Sequence, residues 1–299
     1  INDAAMSEYL TQGPLCEKFE SAISQYVGAD YSVAFNSATS ALHACCLALE
    51  VGPDDIVWTP GISFVASANC ALYCGAKVDF LDVDPETGNV SLEALKQKLA
   101  LAKTQNKLPK AIVVVHMAGL PCEMSEIWKL SVHFNFAVIE DASHALGATF
   151  ENGLIGSNYA DLTVFSFHPL KIITTAEGGM ATTKNKTYEK RLKQAREHGI
   201  IRGSGSEVAP WEYDQVSLGF NYRMTEIQAA LGLSQLKRVA EMQNLRNQIA
   251  QNYLNLLKDL PVRLPMQSNN KASSYHLFII HCLEGNKQRL ALYNYLRKK

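Results

Sequence analysis

The chain has 299 residues, of which 47% are hydrophobic and 19% charged, and its formal net charge is −1. This size and apolar content allow a full buried core, in one large domain or two smaller ones. The near-zero charge, without a dense run of lysine and arginine, argues against binding to nucleic acid or a membrane surface. The seven cysteines are scattered, which favours reduced cytoplasmic thiols over a zinc site or a disulfide framework. We expect neither a membrane span nor a signal peptide, because no apolar run reaches about 20 residues.

Short apolar runs bounded by turn residues alternate with longer amphipathic segments along most of the chain. This alternation predicts an α/β fold in which crossover helices join the strands of a mostly parallel sheet. The predicted strands are residues 32–35, 56–59, 77–80, 111–116, 137–139, 162–166 and 180–182. The predicted helices are residues 15–26, 39–50, 64–73, 92–104, 124–134, 186–198 and a long helix from 225 to 257. In helix 92–104, helical spacing of the apolar residues predicts one buried face, formed by Leu92, Leu95, Leu99 and Ala102.

The C-terminal part of the sequence indicates a smaller α+β domain after the long helix. Pro261 and Pro265 break the helical pattern. A strand is predicted at residues 275–282 and a helix from Asn286. We expect residues 1–240 to form a large domain and residues 241–299 to begin the smaller one. Before these elements, the Gly/Ser-rich residues 203–206 indicate a mobile loop.

One lysine lies in an apolar turn that ends in glycines, at residues 166–179 (SFHPLKIITTAEGG). An amine held away from water, such as that of Lys171, loses its proton more readily and can form a Schiff base with an aldehyde. Asp141 follows a predicted buried strand, and its carboxylate could keep the ring nitrogen of a pyridine cofactor protonated. The pair therefore suggests pyridoxal phosphate (PLP). The alternative is an ordinary surface lysine in a loop, which is what most lysines are.

Four sequence blocks occur in a recognisable order. They are residues 140–148 (EDASHALGA), 166–171 (SFHPLK), 177–179 (EGG) and 219–232 (GFNYRMTEIQAALG). These blocks resemble the DegT/DnrJ-type nucleotide-sugar aminotransferases, and the similarity extends from residues 10–14 (LTQGP) to 275–278 (YHLF). The resemblance implies the fold of type I PLP-dependent transferases, which is that of aspartate aminotransferase. It also implies that the smaller domain is incomplete here, because in the family it continues beyond the position of Lys299.

Three further details resemble the branch of the family that serves pseudaminic acid synthesis. They are His168-Pro169, the Thr-Thr-Ala before Glu177, and residues 198–201 (HGII). That branch aminates C4 of a UDP-linked 4-keto-6-deoxy-N-acetyl sugar. The resemblance implies two half-reactions, in which L-glutamate gives up its amino group as 2-oxoglutarate leaves, and a keto sugar nucleotide then accepts it. Lys171 would be the general base that moves the proton in both.

Two strand-to-helix junctions carry candidate cofactor contacts. At residues 36–41 (NSATSA), free N–H groups at a helix N-terminus could meet an anion, although an ordinary Ser/Thr helix cap without a ligand also fits. The resemblance matches Ala38, Thr39 and Ser166 to contacts with the cofactor phosphate. At the next junction, the resemblance implies that the ring of Phe64 stacks on the cofactor. The alternative is a plain core phenylalanine.

The block at residues 140–148 carries two more candidates. Asp141 follows an apolar strand at the edge where open α/β sheets gather ligands, and the resemblance pairs it with the pyridine nitrogen. The alternative is that it caps a following helix. His144 would face the phenolic oxygen or the ring of the cofactor, or would be a buried histidine satisfied by a carbonyl. His168 and His276 lie in matching segments without an assigned contact.

Asn221 implies a shared site. In the family this asparagine reaches the phosphate in the partner subunit, so the active site would be complete only in a homodimer. The alternative is that Asn221 caps the helix predicted after it. Two rival functions remain on the same scaffold. A PLP-dependent sugar dehydratase would carry histidine in place of Lys171. A non-catalytic regulator that binds a sugar nucleotide would not need Asp141, Lys171 and the phosphate segment together.

Overall fold

The computed structural model describes residues 1–151, 153–156, 158–202, 209 and 211–299. The loop predicted at residues 203–206 lies outside the described residues. The strands are β1 (Tyr31–Phe35), β2 (Ile56–Pro60), β3 (Lys77–Leu81), β4 (Ala111–Val115), β5 (Ala137–Asp141), β6 (Thr149–Phe150), β7 (Gly153–Leu154), β8 (Leu162–Ser166), β9 (Gly179–Thr183), β10 (Ile200–Arg202), β11 (Tyr213–Gln215), β12 (Val262–Arg263), β13 (Lys271–Ala272) and β14 (His281–Cys282).

The helices surround the main sheet. They are α1 (Asn2–Ala5), α2 (Pro14–Val27), α3 (Ala38–Ala48), α4 (Ala66–Tyr73), α5 (Leu92–Thr104), α6 (Met124–Phe134), α7 (Lys186–Arg196), α8 (Glu226–Leu236), α9 (Val239–Leu257) and α10 (Asn286–Arg297), with a short 3-10 helix at Met117–Gly119. Local signals set their ends. For example, α2 starts with Pro14 in its first turn and ends at Gly28 in the left-handed conformation. Among the described residues, no helix is both long and apolar enough to span a bilayer.

The main sheet has seven strands in the order β1-β9-β8-β5-β4-β2-β3. They are the seven strands predicted from the sequence. β9 runs antiparallel to both of its neighbours, and the other pairings in this sheet are parallel. This mostly parallel sheet confirms the predicted α/β fold.

Side chains alternate between the two faces of the sheet and build two cores. On one face, Val113, Ile139 and Val164 join a buried cluster that includes residues of α3, α4 and α7. On the other face, Ile112 and Val138 join a cluster that includes residues of α2, α5, α6 and α8. The predicted inner face of α5 is confirmed. Leu95, Leu99 and Ala102 are buried, and Leu92 is partly buried and packs against the core.

The single long helix predicted from 225 to 257 is wrong, because the chain breaks between α8 and α9. The break lets the two helices pack on different parts of the molecule. Gly232 of α8 lies so close to the ring of Phe19 that a Cβ atom would be 2.5 Å from it. Gln243 of α9 instead donates a hydrogen bond of 2.8 Å to the carbonyl of Ser273.

The strand predicted at residues 275–282 is also mostly wrong. Only β14 forms, paired with β12, while α10 starts at Asn286 as predicted. The backbone of Tyr275 has a φ of 46°, which takes the chain out of the extended conformation. The residues around it bond to the 3-10 helix instead, where Ser274 N–H donates to Gly119 O at 3.1 Å.

Candidate active site

A cavity of about 390 Å³ lies at the edge of the sheet where the parallel strands end. The ends of β4, β5 and β8 meet there with the start of the antiparallel β9. Open α/β sheets bind their ligands at this edge. With the exception of Asn221, every predicted site residue lines the cavity: Ala38, Thr39, Phe64, Asp141, His144, Ser166 and Lys171.

The N-terminus of α3 forms one end of the cavity. Ser37 caps this helix, because its Oγ accepts a hydrogen bond of 3.1 Å from the N–H of Ser40. The N–H groups of Ala38 and Thr39, in the first turn, have no carbonyl within the helix to bond. They can therefore bind an anion, which the helix dipole also favours. The cap at Ser37 does not compete with that role.

Gly179 allows β9 to lie directly against the start of α3. A Cβ atom on Gly179 would lie 2.5 Å from the backbone N of Ala38 and from the carbonyl carbon and oxygen of Ser37. A Cβ atom on the preceding Gly178 would lie 2.1 Å from Thr175 Oγ1. Each glycine therefore has a steric cause, which is the close approach of the strand to the start of α3 at Gly179 and of Thr175 at Gly178.

Asp141 is held at the end of β5 by two donors. Ser67 Oγ donates a hydrogen bond of 2.7 Å to Asp141 Oδ2, and the N–H of Ser143 donates one of 3.1 Å to Oδ1. Both Asp141 and Ser67 are buried. Residues 142–148 form turns rather than a helix, so the interpretation of Asp141 as a helix cap is wrong. The carboxylate is fixed in the wall of the cavity.

Lys171 is half-buried and lines the same cavity. The backbone N–H of Lys171 donates a hydrogen bond of 2.9 Å to the carbonyl of His168, which closes the turn. Burial lowers the pKa of Lys171 below the ordinary lysine value, and the negative charge of Asp141 partly offsets this. A lowered pKa leaves more of the amine in its neutral form, which is the form that attacks a carbonyl and accepts a proton.

Phe64 lies in the turn before α4, at the mouth of the cavity. Its side chain is 70% exposed, so the interpretation as a plain core residue is wrong. An aromatic ring that is both exposed and in a cavity wall can stack on a planar ligand.

His144 stacks on His276, which comes from the C-terminal part of the chain. Their ring centroids are 4.3 Å apart and their planes are tilted by 29°. Burial, together with the neighbouring charges of Lys171 and His116, lowers the pKa of His144 to about 4. Burial, the charge of His144 and that of Lys171 lower the pKa of His276 to about 3. Nδ1 of His144 has no hydrogen-bond partner among the described residues, so no described carbonyl satisfies this nitrogen.

Asn221 lies apart from these residues. Its side chain is exposed and does not line the cavity of its own chain. Its backbone forms an isolated bridge with Glu197. The helix-capping interpretation is wrong, because Thr225 is the N-cap of α8 and forms a capping box with Gln228.

Several site residues were not found from the sequence. The cavity is also lined by Ser37, Met117, Ser143, Glu177 and His276, and Ser67 bonds to the Asp141 carboxylate from behind it. Ser67 Oγ also lies 2.7 Å from the hydroxyl oxygen of Ser63, in the turn before α4. The local sequence does not mark Ser67 as a site residue, because its partner Asp141 lies 74 positions away.

Comparison with known proteins decides the family. A profile of the DegT/DnrJ/EryC1/StrS aminotransferase family matches residues 1–299. The chain belongs to this family. The Campylobacter jejuni protein named UDP-4-amino-4,6-dideoxy-N-acetyl-β-L-altrosamine transaminase is 39% identical over 281 residues, which covers 94% of this chain and 72% of that protein.

Solved structures described as aminotransferases share the fold. Helicobacter pylori PseC, described as an aminotransferase involved in the biosynthesis of pseudoaminic acid, matches with a TM-score of 0.84 and 35% identity, over 93% of this chain and 72% of that one. The PLP form of Spr1654 from Streptococcus pneumoniae matches with a TM-score of 0.88 and 30% identity, over 99% of this chain and 78% of that one.

This DegT/DnrJ/EryC1/StrS aminotransferase is therefore a PLP-dependent enzyme with the type I fold. The residues that line the cavity suit that cofactor. The N-terminus of α3 suits a phosphate, and the fixed carboxylate of Asp141 suits a protonated pyridine nitrogen. The half-buried amine of Lys171 suits an aldehyde. Within the described part of the chain, Nδ1 of His144 is a buried polar atom in this wall without a hydrogen-bond partner.

Proposed function

We propose that this aminotransferase moves the amino group of L-glutamate to C4 of a UDP-linked 4-keto-6-deoxy-N-acetylhexose. The observation that carries this proposal is the 39% identity, over 94% of the chain, to a transaminase named for a UDP-linked 4-amino sugar. The likeness to PseC supports the same choice. The cavity with its half-buried lysine amine supports amino-group transfer as the chemistry.

Four residues would bind the cofactor at its two ends. The N–H groups of Ala38 and Thr39 and the hydroxyl of Ser166 would hold the phosphate, as their position at the start of α3 and the end of β8 suggests. Asp141, oriented by Ser67, would bind the pyridine nitrogen. A protonated ring nitrogen is what makes this cofactor an electron sink when it is bound.

Two other residues would orient the ring itself. Phe64 would cover one face, which adds about 0.5–1.5 kcal/mol beyond burial for a stacked aromatic pair. His144 would approach the phenolic oxygen from the edge of the cavity. Because burial lowers the pKa of His144 to about 4, its ring is neutral near pH 7 and can donate one hydrogen bond.

Lys171 would move the proton in both half-reactions. Its neutral Nζ would take a proton from the α-carbon of glutamate, and later return one to the sugar carbon that becomes aminated. Burial prepares the amine for this role by lowering its pKa. Leu42, Val115, Met117 and Leu170 line the cavity together with Lys171 and make part of its wall apolar.

The assembly belongs to the same proposal. Asn221 is exposed and outside the cavity of its own chain, so it is available to reach the phosphate in a second subunit. We propose a homodimer with shared sites in the cytoplasm, where reduced thiols are the norm. We also propose the division into a large domain at residues 1–240 and the start of a smaller one at 241–299.

A substrate screen tests the proposed function. The protein, loaded with PLP and L-glutamate, is offered keto sugars linked to UDP, dTDP or GDP. Release of 2-oxoglutarate is measured, and the aminated carbon is assigned by NMR. We expect amination at C4 of the UDP-linked 4-keto sugar, and a strong loss of turnover in Lys171→Ala.

Three outcomes would contradict the proposal in different ways. Acceptance of only a dTDP-linked 3-keto sugar would overturn the substrate while leaving amino transfer intact. Loss of a sugar hydroxyl without use of glutamate as amino donor would favour a dehydratase. A protein that stays colourless with added PLP, and releases no 2-oxoglutarate, would favour a regulator.

A further inference from the structure

The stacked rings of His144 and His276 join the C-terminal part of the chain to the cofactor cavity. Both rings line that cavity together with Lys171. Their centroids are 4.3 Å apart, and Nδ1 of each ring is buried without a hydrogen-bond partner among the described residues. Since Nδ1 of His144 is held by no hydrogen bond in the described part of the chain, the stacking contact with His276 is available to orient this ring.

The backbone on both sides of this contact is anchored. Ser274 Oγ donates a hydrogen bond of 2.5 Å to the carbonyl oxygen of His144. The N–H of Ser274 donates to Gly119 O at 3.1 Å. The segment that carries His276 is therefore tied to the main chain of His144 as well as to its ring.

A strained residue directs His276 into the cavity. Tyr275 has a φ of 46°, a conformation that a bulky residue adopts only when its surroundings hold it. Arg246 of α9 provides such a hold, because its Nη1 donates a hydrogen bond of 3.0 Å to the carbonyl of Tyr275. The stacked arrangement is thus imposed by contacts from α9 and from the 3-10 helix.

The positive groups near the two histidines favour neutral rings, which can stack. The cations around the pair are Lys171, His116 and Arg246. Burial and these neighbours lower the pKa of both histidines well below the usual value of 6.5. Two neutral rings can stack without repulsion, whereas two imidazolium rings at this distance would repel.

We propose that His276 is a positioning residue of the cofactor site. Its ring holds the ring of His144 against the cofactor, and the segment of residues 273–277 thereby completes the site. This inference rests on the PLP cofactor and on the proposed contact of His144, and it does not depend on which sugar is the substrate.

The test measures the Kd of PLP by fluorescence titration of the cofactor-free protein, without any substrate. His276→Phe keeps a stacking ring and removes both nitrogens, whereas His276→Ala removes the ring. We expect His276→Ala to raise the Kd roughly three- to tenfold and His276→Phe to stay within about twofold of the wild type, as for other stacked pairs. His133→Ala is the matched control, because this exposed histidine of α6 lies outside the cavity.

A double-mutant cycle separates positioning from a structural role. If His276 acts through His144, the change His276→Ala should have no further effect on the Kd once His144 is alanine. The pH dependence of the absorbance of bound PLP should shift in the same direction in His144→Ala and His276→Ala. Should His276→Ala fail to fold, His276→Leu, which has bulk but no ring, takes its place.

Two results would overturn the inference. One is a Kd of PLP that is unchanged in His276→Ala, or in His276→Leu if that variant replaces it. The other is an equal loss of PLP affinity in His276→Phe and in the variant without a ring, which would assign the effect to the histidine nitrogens. Because the titration contains no sugar, its failure and the failure of the substrate proposal are seen separately.

Discussion

Ser67 Oγ on α4 donates a hydrogen bond of 2.7 Å to Asp141 Oδ2 at the end of β5. The two residues are 74 positions apart in sequence and both are buried. The hydroxyl therefore links the helix that follows Phe64 to the carboxylate proposed to bind the cofactor nitrogen. A charge-assisted bond of this kind sets the direction of the carboxylate as well as stabilising it.

The first prediction concerns this pair. Asp141→Asn should still bind PLP but slow the half-reaction with glutamate by about 10²–10³-fold, as loss of a preorganised electrostatic contact does. Ser67→Ala should slow it by about tenfold, because one hydrogen bond to a charged group is lost. The rates are measured by stopped-flow absorbance. Ser131→Ala, which removes a buried hydroxyl on α6, is the control. Unchanged rates in Asp141→Asn would refute the proposed role.

The second prediction concerns Lys171. Lys171→Ala should lose the visible absorbance that a covalent link to the cofactor produces, and should lower turnover by about 10²–10⁴-fold, as removal of a general base does. Circular dichroism should show an unchanged fold. Lys129→Ala is the control, since that side chain is exposed and paired with Glu126. If borohydride still linked the cofactor to the Lys171→Ala protein, the assignment would be wrong.

The third prediction tests the steric role of Gly179. Gly179→Ala should lower the free energy of unfolding by about 1–3 kcal/mol, as overpacking does, because its Cβ would press on the backbone of Ser37 and Ala38. It should also weaken PLP binding, since the start of α3 has to move. Gly52→Ala is the matched control, because nothing lies within 4 Å of a Cβ at that position. Equal stability of the two variants, from urea unfolding, would contradict the steric argument.

The fourth prediction is a loss of stability in mild acid. In the folded protein burial lowers the pKa of His144 to about 4 and of His276 to about 3, against an ordinary 6.5. The unfolded chain therefore binds more protons below pH 6.5, and stability falls as the pH drops through 6.5 towards 4. Allowing for solvent screening of these partly exposed rings, each ring should lower the free energy of unfolding by about 1 kcal/mol between pH 7 and pH 5.

This pH effect is measured by urea unfolding of the cofactor-free protein at both pH values. His276→Phe should reduce the difference, because one of the two titrating rings is gone. His133→Ala should leave the difference as it is in the wild type. A His276→Phe protein with the same difference between pH 7 and pH 5 as the wild type would show that folding does not hold the His276 ring neutral.

The fifth prediction tests the shared site. If Asn221 serves the partner's cavity, a mixed dimer of a Lys171→Ala chain and an Asn221→Ala chain has one site with both lesions and one with neither. The intact site should restore up to half of the normal activity, although each variant alone is poor. Activity of isolated mixed dimers no higher than that of the Asn221→Ala homodimer, or full activity of a monomer, would rule the shared site out.

The sequence by itself determined the elements and most of the cavity wall. Strand and helix signals are local, so the seven strands of the sheet and the limits of α5 and α6 followed from apolar spacing and turn residues. Asp141 followed from its position at the end of an apolar strand, at the edge where open α/β sheets gather ligands. The proposed cofactor contacts of Ala38, Thr39, Phe64 and Ser166 followed from the family resemblance, since the local pattern alone also fitted a helix cap or a core residue.

Only the tertiary structure decided how distant segments meet. The bond from Ser67 to Asp141, the stacking of His276 on His144, and the break between α8 and α9 depend on contacts between residues far apart in the chain. A local pattern carries no record of such partners. The same cause explains the lost strand after Tyr275, where hydrogen bonds to the 3-10 helix and to Arg246 outweigh the β propensity of the segment.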